Sequence, residues 1–225
     1  MEASEAIQGW RSVRRFKDEP VPEAALMKVL EAGRRAPSWE NVQPWHFIVI
    51  EDAEIKQKLV ALSKGQKFIA AAPVVIAVCG DISAWDKPKN RAALMELIEK
   101  GVMRATVEVV DSFILKDPVY CVGENGPAII LARTFEQLGI AYGFMCVEAV
   151  NQGLGMCIVG AFGNEATGGS MKELSDEVRA ALGLPEGVHL LALLPLGVPA
   201  ETPEARPRKP LGAIASRGKY GNPVA

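Results

Sequence analysis

Histidine is nearly absent from this chain, with two residues, His46 and His189, among 225. Two lone histidines make a poor metal site. Both begin apolar, strand-like runs, so structural roles are expected for them. Cysteine is almost as scarce. Cys79, Cys121, Cys146 and Cys157 form no C-x-x-C pair, and three of them sit inside apolar runs. Zinc and iron–sulfur sites need closer spacing, which leaves buried free thiols as the reading. Neither sign of charge dominates: 25 Lys and Arg against 27 Asp and Glu leave a formal net charge of −2. That balance argues against nucleic acid or an anionic membrane as a partner. No apolar stretch approaches the ~20 residues that span a bilayer. No basic segment followed by an apolar run opens the chain. A cytoplasmic protein is the expectation.

Several motifs are missing as well. Alternating helix and strand patterns invite a parallel, doubly wound sheet, which needs a glycine-rich turn after its first strand. None follows Ile50. "GLGMCI" at 153–158 precedes a strand pattern, which is the wrong context. "GNEATGGSMK" at 163–172 lacks a lysine directly after its last glycine. No G-x-S-x-G elbow is present, so an α/β-hydrolase lacks its nucleophile.

What is there is apolar and periodic. Residues 1–225 read as a single domain, without internal repeats or low-complexity linkers. Pro20-Val21-Pro22-Glu23 starts a helix whose apolar face is Leu26, Val29, Leu30 and Gly33 and which ends near Ala36. Residues 46–51 and 73–80 predict buried strands, and Ile55, Leu59 and Leu62 a short helix between them. Apolar residues at helical spacing fill 91–115 and 128–152, the second run with a possible break near Gly139. Residues 156–162 predict a strand, Leu174 to Leu182 an amphipathic helix stopped by Gly183, and 188–198 a last strand despite Pro195. The tail 200–225 is too polar for a core and should wrap over a surface or a partner.

Three stretches carry unusual chemistry. "WRSVRRF" at 10–16 presents Arg11, Arg14 and Arg15 around Ser12. Guanidinium groups offer paired N–H donors in a fixed plane, which suits phosphate oxygens, although alone the stretch reads as a solvated basic start. "APSWENVQPW" at 36–45 places Ser38, Asn41 and Gln43 between Pro37 and Pro44, with Trp39 and Trp45 beside them. The prolines restrict the backbone and so lower the cost of presenting those polar groups in one geometry. "ARPRKPL" at 205–211 alternates Arg206 and Arg208 with prolines, so it should be extended.

"RSVRRF", "APSWENVQPWHFIVI", "GLGMCIVGAF" and "LLPLGVPAETPEARPRKPL", in that order and at that spacing, resemble the FMN-dependent nitroreductase family from about Ala6 to Leu211. The resemblance implies an α+β fold: a mostly antiparallel sheet flanked by helices, in an intertwined homodimer with exchanged tails and FMN in clefts at the interface. It implies that Arg11, Ser12, Arg14, Arg206 and Arg208 hold the FMN phosphate and ribityl chain. Pro37, Ser38 and Asn41 would border the isoalloxazine ring, with Trp39 reaching towards the partner's flavin. Gln66 and Lys67 would lie near the N1 and O2 edge, and a backbone N–H of Gly160 or Ala161 would point at N5. The family usually has an arginine where this chain has Trp10; either Arg15 compensates or the phosphate is held with one cation fewer.

The implied activity is ping-pong oxidoreduction. NADH or NADPH delivers hydride to flavin N5, and a small electron acceptor of nitroaromatic, quinone, enone or flavin type then takes the electrons. No protein side chain is required as acid or base, so no catalytic residue is expected, nor a metal. The variable helical region at about 82–125, with Trp85, Phe113 and Tyr120, would select the acceptor. The rival reading is a flavin-binding sensor or storage module without turnover.

Overall fold

In a computed structural model of the chain, residues 1–160 and 171–224 are described. Among them, four strands form one sheet in the order β1-β2-β4-β3: β1 Trp45–Ile50, β2 Val74–Asp81, β3 Gly155–Met156 and β4 Val188–Gly197. Every pairing is antiparallel, as the family resemblance implies and the helix–strand alternation alone does not. β2 is buried along nearly its whole length because both of its faces are covered. Its residues alternate between two cores with the period of a strand. Val74, Ile76 and Val78 pack with Leu26 and Val29 of α2 (Glu23–Arg34) and Leu138 and Met145 of α7 (Pro127–Asn151). Val75, Ala77 and Cys79 pack on the other face. There they meet Leu59 and Leu62 of α3 (Ala53–Leu62), Ile69 of α4 (Phe68–Ala71) and Val178 of α8 (Lys172–Ala181). The result is a sheet between two helical layers. Pro195 sits within β4 opposite Val75, and its carbonyl accepts the Cys157 N–H at 3.2 Å.

Most elements lie where the sequence puts them, with local reasons. Asp52 caps α3 by accepting the Ile55 N–H. Arg179 in α8 donates to the carbonyls of Val188 and Pro185, fixing the entry into β4. Two expectations change, one is resolved between its alternatives, and one helix is added. The helical run at 91–115 is broken: α5 (Lys87–Glu99) stops before Gly101, whose φ of 70° turns the chain, and α6 (Val107–Ser112) restarts at a Thr106 cap. Residues 127–151 form one helix, since a glycine inside a long buried helix lowers its stability without ending it. The strand at 156–162 shrinks to β3 plus a bridge at Val159, with residues 161 and 162 outside the described range. A helix the periodicity did not announce, α1 (Ala3–Gly9), precedes the arginine cluster and buries only Ala6. All four cysteines are free and buried, and burial pushes the Cys79 and Cys146 thiols up to about 12. No described helix is long and apolar enough to cross a membrane.

Candidate functional site

The chain that follows α1 runs along the outer side of β3. Ser12 bridges Met156 in parallel register, and the Val13 N–H donates to the Met156 carbonyl at 3.1 Å. The tail leaves β4 on the same side and is stitched to this segment. Phe16 pairs with Pro199, the Lys17 N–H donates to Val198, and the Ala200 N–H donates to Arg15, both at 2.9 Å. The two ends of the chain thereby meet around a cavity of about 250 Å³ lined by Trp10, Arg11, Ser12, Arg14, Pro203, Glu204, Arg206 and Arg208.

Arg11 donates to the Gln8 and Trp10 carbonyls, Arg14 to the Ser12 carbonyl, and Arg208 to those of Arg206 and Pro207. Among the described residues no carboxylate pairs with Arg11, Arg14, Arg206 or Arg208. Concentrated cationic charge without a counter-charge is the chemistry of an anion site. Cys157 lies beneath it: burial raises its thiol pKa, and Arg14, a Ser12 hydrogen bond and Arg206 pull it back down. The Arg14 guanidinium carbon also stands 5.6 Å from the centre of the Phe68 ring. That contact brings the start of α4, with Gln66 and Lys67 before it, to the same edge. Gln66 is tied to its own loop, donating to the Ser63 carbonyl, whereas Lys67 is exposed.

Arg15 does not join the cavity. Its guanidinium faces Glu201 at 3.8 Å with the side chain 81% exposed, so it does not replace the cation missing at Trp10. Trp85 is corrected too. It is fully buried, and its indole N–H donates to Thr134 Oγ1 at 2.8 Å, so it anchors the variable region instead of facing an acceptor. Phe113 and Tyr120 pack together, ring centres 6.1 Å apart, with Phe113 exposed. Gly160 is exposed just beyond the Val159 bridge, and Ala161 lies outside the described residues.

The stretch 36–45 is a strained loop. Glu40, Asn41 and Gln43 all have left-handed φ, at 47°, 59° and 46°. Non-glycine residues occupy that region at a cost, and only where the surroundings hold them. Here Ser38 Oγ accepts the Gln43 N–H at 3.0 Å, and Gln137 Oε1 on α7 accepts the Trp39 N–H at 2.8 Å. The Arg133 guanidinium lies over the Trp39 ring. Behind the loop, Trp39 Nε1, Glu40 Oε2 and both polar side-chain atoms of Asn90 are buried without a hydrogen-bond partner. Burial raises the Glu40 carboxyl pKa, opposed by Asn90.

Within one chain this loop is remote from the arginines. Ser12 lies in the row of Met156, Leu196 and Val74, whereas the loop enters the sheet at Trp45, opposite Gly80. Val74 and Gly80 are about 20 Å apart along β2. The helix α7 gives the same separation: Trp39 is held at Gln137, while Gly9 packs on Val150, about 20 Å further along the axis. The structure therefore unites Arg11, Ser12, Arg14, Arg206 and Arg208, brings Lys67 to their border, and keeps Pro37, Ser38 and Asn41 away. The sequence reading missed Glu201, Pro203, Glu204 and Phe68. Only the position of Pro203 and Glu204 beside the tail arginines hinted at their place in the cavity.

These features define a class: an α+β protein with an arginine-lined cavity at the edge of an antiparallel sheet. A sequence model described as the nitroreductase family matches residues 7–198, and the chain belongs to that family. It is 33% identical over 214 residues to a NADH dehydrogenase of Thermus thermophilus, covering 95% of each chain. It is 30% identical over 222 residues to an FMN reductase [NAD(P)H] of Bacillus subtilis, covering 98% of this chain and 75% of the relative. A nitroreductase-like protein from Streptococcus mutans shares the fold with a TM-score of 0.74 at 21% identity, over 96% of this chain and 98% of that one.

Proposed function

We propose that the protein is an FMN-dependent oxidoreductase that uses NADH or NADPH to reduce small electron acceptors of nitroaromatic, quinone, enone or flavin type. One observation carries the reading: in a chain of this family, Arg11, Arg14, Arg206 and Arg208 converge with Ser12 on one cavity and, among the described residues, lack acidic partners. The donor set fits the phosphate of FMN, a dianion that calls for several converging cations and a hydroxyl. Arg11, Arg14, Arg206 and Arg208 neutralise the phosphate, and Ser12 donates to it. Lys67, at the border of the site, stabilises negative charge on the pyrimidine side of the ring. The chemistry supplied by the bound cofactor is hydride acceptance at N5 and delivery of electrons to the acceptor in a second half-reaction.

A homodimer completes the site. Pro37, Ser38 and Asn41 stand about 20 Å from the arginines of their own chain, so they serve the ring bound by a second copy. The surface supports this. Ile129 and Phe144 on α7 and Met27 on α2 are exposed, and Met27 borders an apolar groove with Leu30, Trp45 and Phe47. Among the described residues the hydrogen bonds of 211–224 run within 210–224, leaving Leu211, Ile214 and Tyr220 exposed and available to a partner.

The test is direct. Purified protein loaded with FMN should be yellow, sediment at twice the 24.2 kDa chain mass and bleach anaerobically with NADH or NADPH. Yellow that persists with both donors would support the storage or sensor alternative, and failure to take up FMN would refute the proposal.

A further inference from the structure

The arginine cavity depends on a tail that makes no regular structure between Gly197 and Leu211; after the backbone bonds at Val198–Ala200, the next tie to the N-terminal segment among the described residues is one carboxylate. Glu201 Oε1 accepts the N–H of Arg14 at 2.8 Å and the N–H of Arg15 at 3.1 Å. Two consecutive backbone donors on one oxygen fix both the position and the direction of the side chain. Its other oxygen, Oε2, lies 3.8 Å from Arg15 Nε, an exposed pairing that contributes little. Beyond Glu201, the tail lines the cavity with Pro203, Glu204, Arg206 and Arg208. Among the described residues, no ion pair holds Arg206 or Arg208 in place, and Arg208 bonds only to neighbouring tail carbonyls. A negative charge beside a dianion site should weaken anion binding. Its presence there calls for a geometric reason, and the two backbone bonds supply one.

We propose that Glu201 is the positioning residue of the cofactor site: by holding the Arg14 and Arg15 backbone through Oε1, it sets where the tail begins and so delivers Arg206 and Arg208 to the anion bound by Arg11, Ser12 and Arg14. This rests on the reading of the cavity as the FMN phosphate site. It is a matter of reach, not charge. Both N–H bonds end on one oxygen, so a glutamine amide oxygen can take them in the same way. An aspartate keeps the charge but falls short by about 1.5 Å, one carbon–carbon bond.

The experiment titrates apo protein with FMN and with riboflavin, which lacks the phosphate, following quenching of flavin fluorescence. Wild type is compared with Glu201→Gln, Glu201→Asp, Glu201→Ala and Arg208→Ala. Glu201→Ala and Glu201→Asp should each weaken FMN binding about tenfold or more, as expected for loss of two hydrogen bonds to backbone N–H groups, and leave riboflavin unchanged. Glu201→Gln should bind FMN as tightly as wild type or more tightly. If Glu201→Ala does not fold, the order of the Gln and Asp variants decides. The inference is overturned if Asp binds like wild type while Gln fails, because charge would then be the determinant. It is also overturned if riboflavin weakens in parallel with FMN, or if Glu201→Ala is silent while Arg208→Ala weakens FMN. If Arg208→Ala itself is silent, the phosphate-site reading falls and takes this inference with it.

Discussion

Gly155→Ala tests how the N-terminal arginines reach the sheet edge. Gly155 in β3 pairs with Gly197 in β4, and the segment carrying Ser12 to Phe16 lies against both. A Cβ at Gly155 would stand 2.8 Å from Val13 Cβ, 2.8 Å from its Cγ1 and 2.9 Å from its Cγ2. Val13 cannot retreat easily. It is buried, its N–H is bonded to Met156, and its branched side chain is stiff at χ1. Overpacking of this kind costs about 1–3 kcal/mol, and contacts with a Cβ belong at the upper end. Gly155 has no left-handed φ, so alanine recovers about 0.4–1 kcal/mol through the unfolded chain. The net loss is about 1–2.5 kcal/mol, which for a chain of this size lowers Tm by roughly 2–10 °C. The strain is relieved by shifting residues 12–14 outward, so FMN affinity should fall with Tm. Circular-dichroism melts of the apo protein and FMN titration measure the two effects. A second substitution, Val13→Ala, removes both Cγ contacts, so the extra loss from Gly155→Ala should shrink in that background. An unchanged Tm with unchanged FMN affinity would refute the close-approach argument.

Other outcomes follow from the same geometry. Glu40 has a folded-state pKa above its ordinary value of 4.5, so the fold favours its protonated form; that contribution is intact below about pH 4.5 and is lost as pH rises through the folded value. Glu40→Gln should therefore match wild-type Tm near pH 4 and exceed it at pH 7, and a lower Tm at both values would contradict the assignment. Thr134→Val strands the buried Trp85 indole N–H and should cost about 1–3 kcal/mol, seen as a lower Tm and altered tryptophan emission. Arg208→Ala should weaken FMN but not riboflavin without lowering the apo Tm, since this exposed side chain supports no core contact.

The central strands were legible because they are the simplest case. β2 and β4 are buried on both faces, so their sequences are mainly apolar runs, β2 between Pro73 and Gly80 and β4 between Gly187 and Gly197. Helices α5 and α6 were misjudged for the opposite reason. Leu94, Ile98, Val102 and Met103 supply helical periodicity, yet Val102 is exposed and Gly101 turns the chain, so the apolar pattern runs on past the point where the helix stops. In the site, the arginines stood out because they are clustered in a chain of near-zero net charge. Their convergence was available only through the order of motifs, since periodicity carries no information about contacts between distant segments. Glu201 shows the limit: a carboxylate in a polar tail reads as solvated, and its partners are backbone N–H groups 187 and 186 residues away.

The loop at 36–45 answers a different question, why strain and stranded polar groups sit so far from the arginines. Three left-handed residues and four unpartnered buried polar atoms within one small region would be selected against if the loop only joined α2 to β1. Gln137, Arg133 and the Ser38 hydroxyl hold it in place, so its shape is imposed from α7 and from within. Stored strain of this sort fits a surface preformed for a ligand, because the ordering has already been met when the ligand arrives. The ligand cannot be one held by the same chain's arginines, given the separation along α7. Under the proposed function, the loop and the arginine cavity would be two halves of a site that one copy presents at opposite ends and a second copy closes.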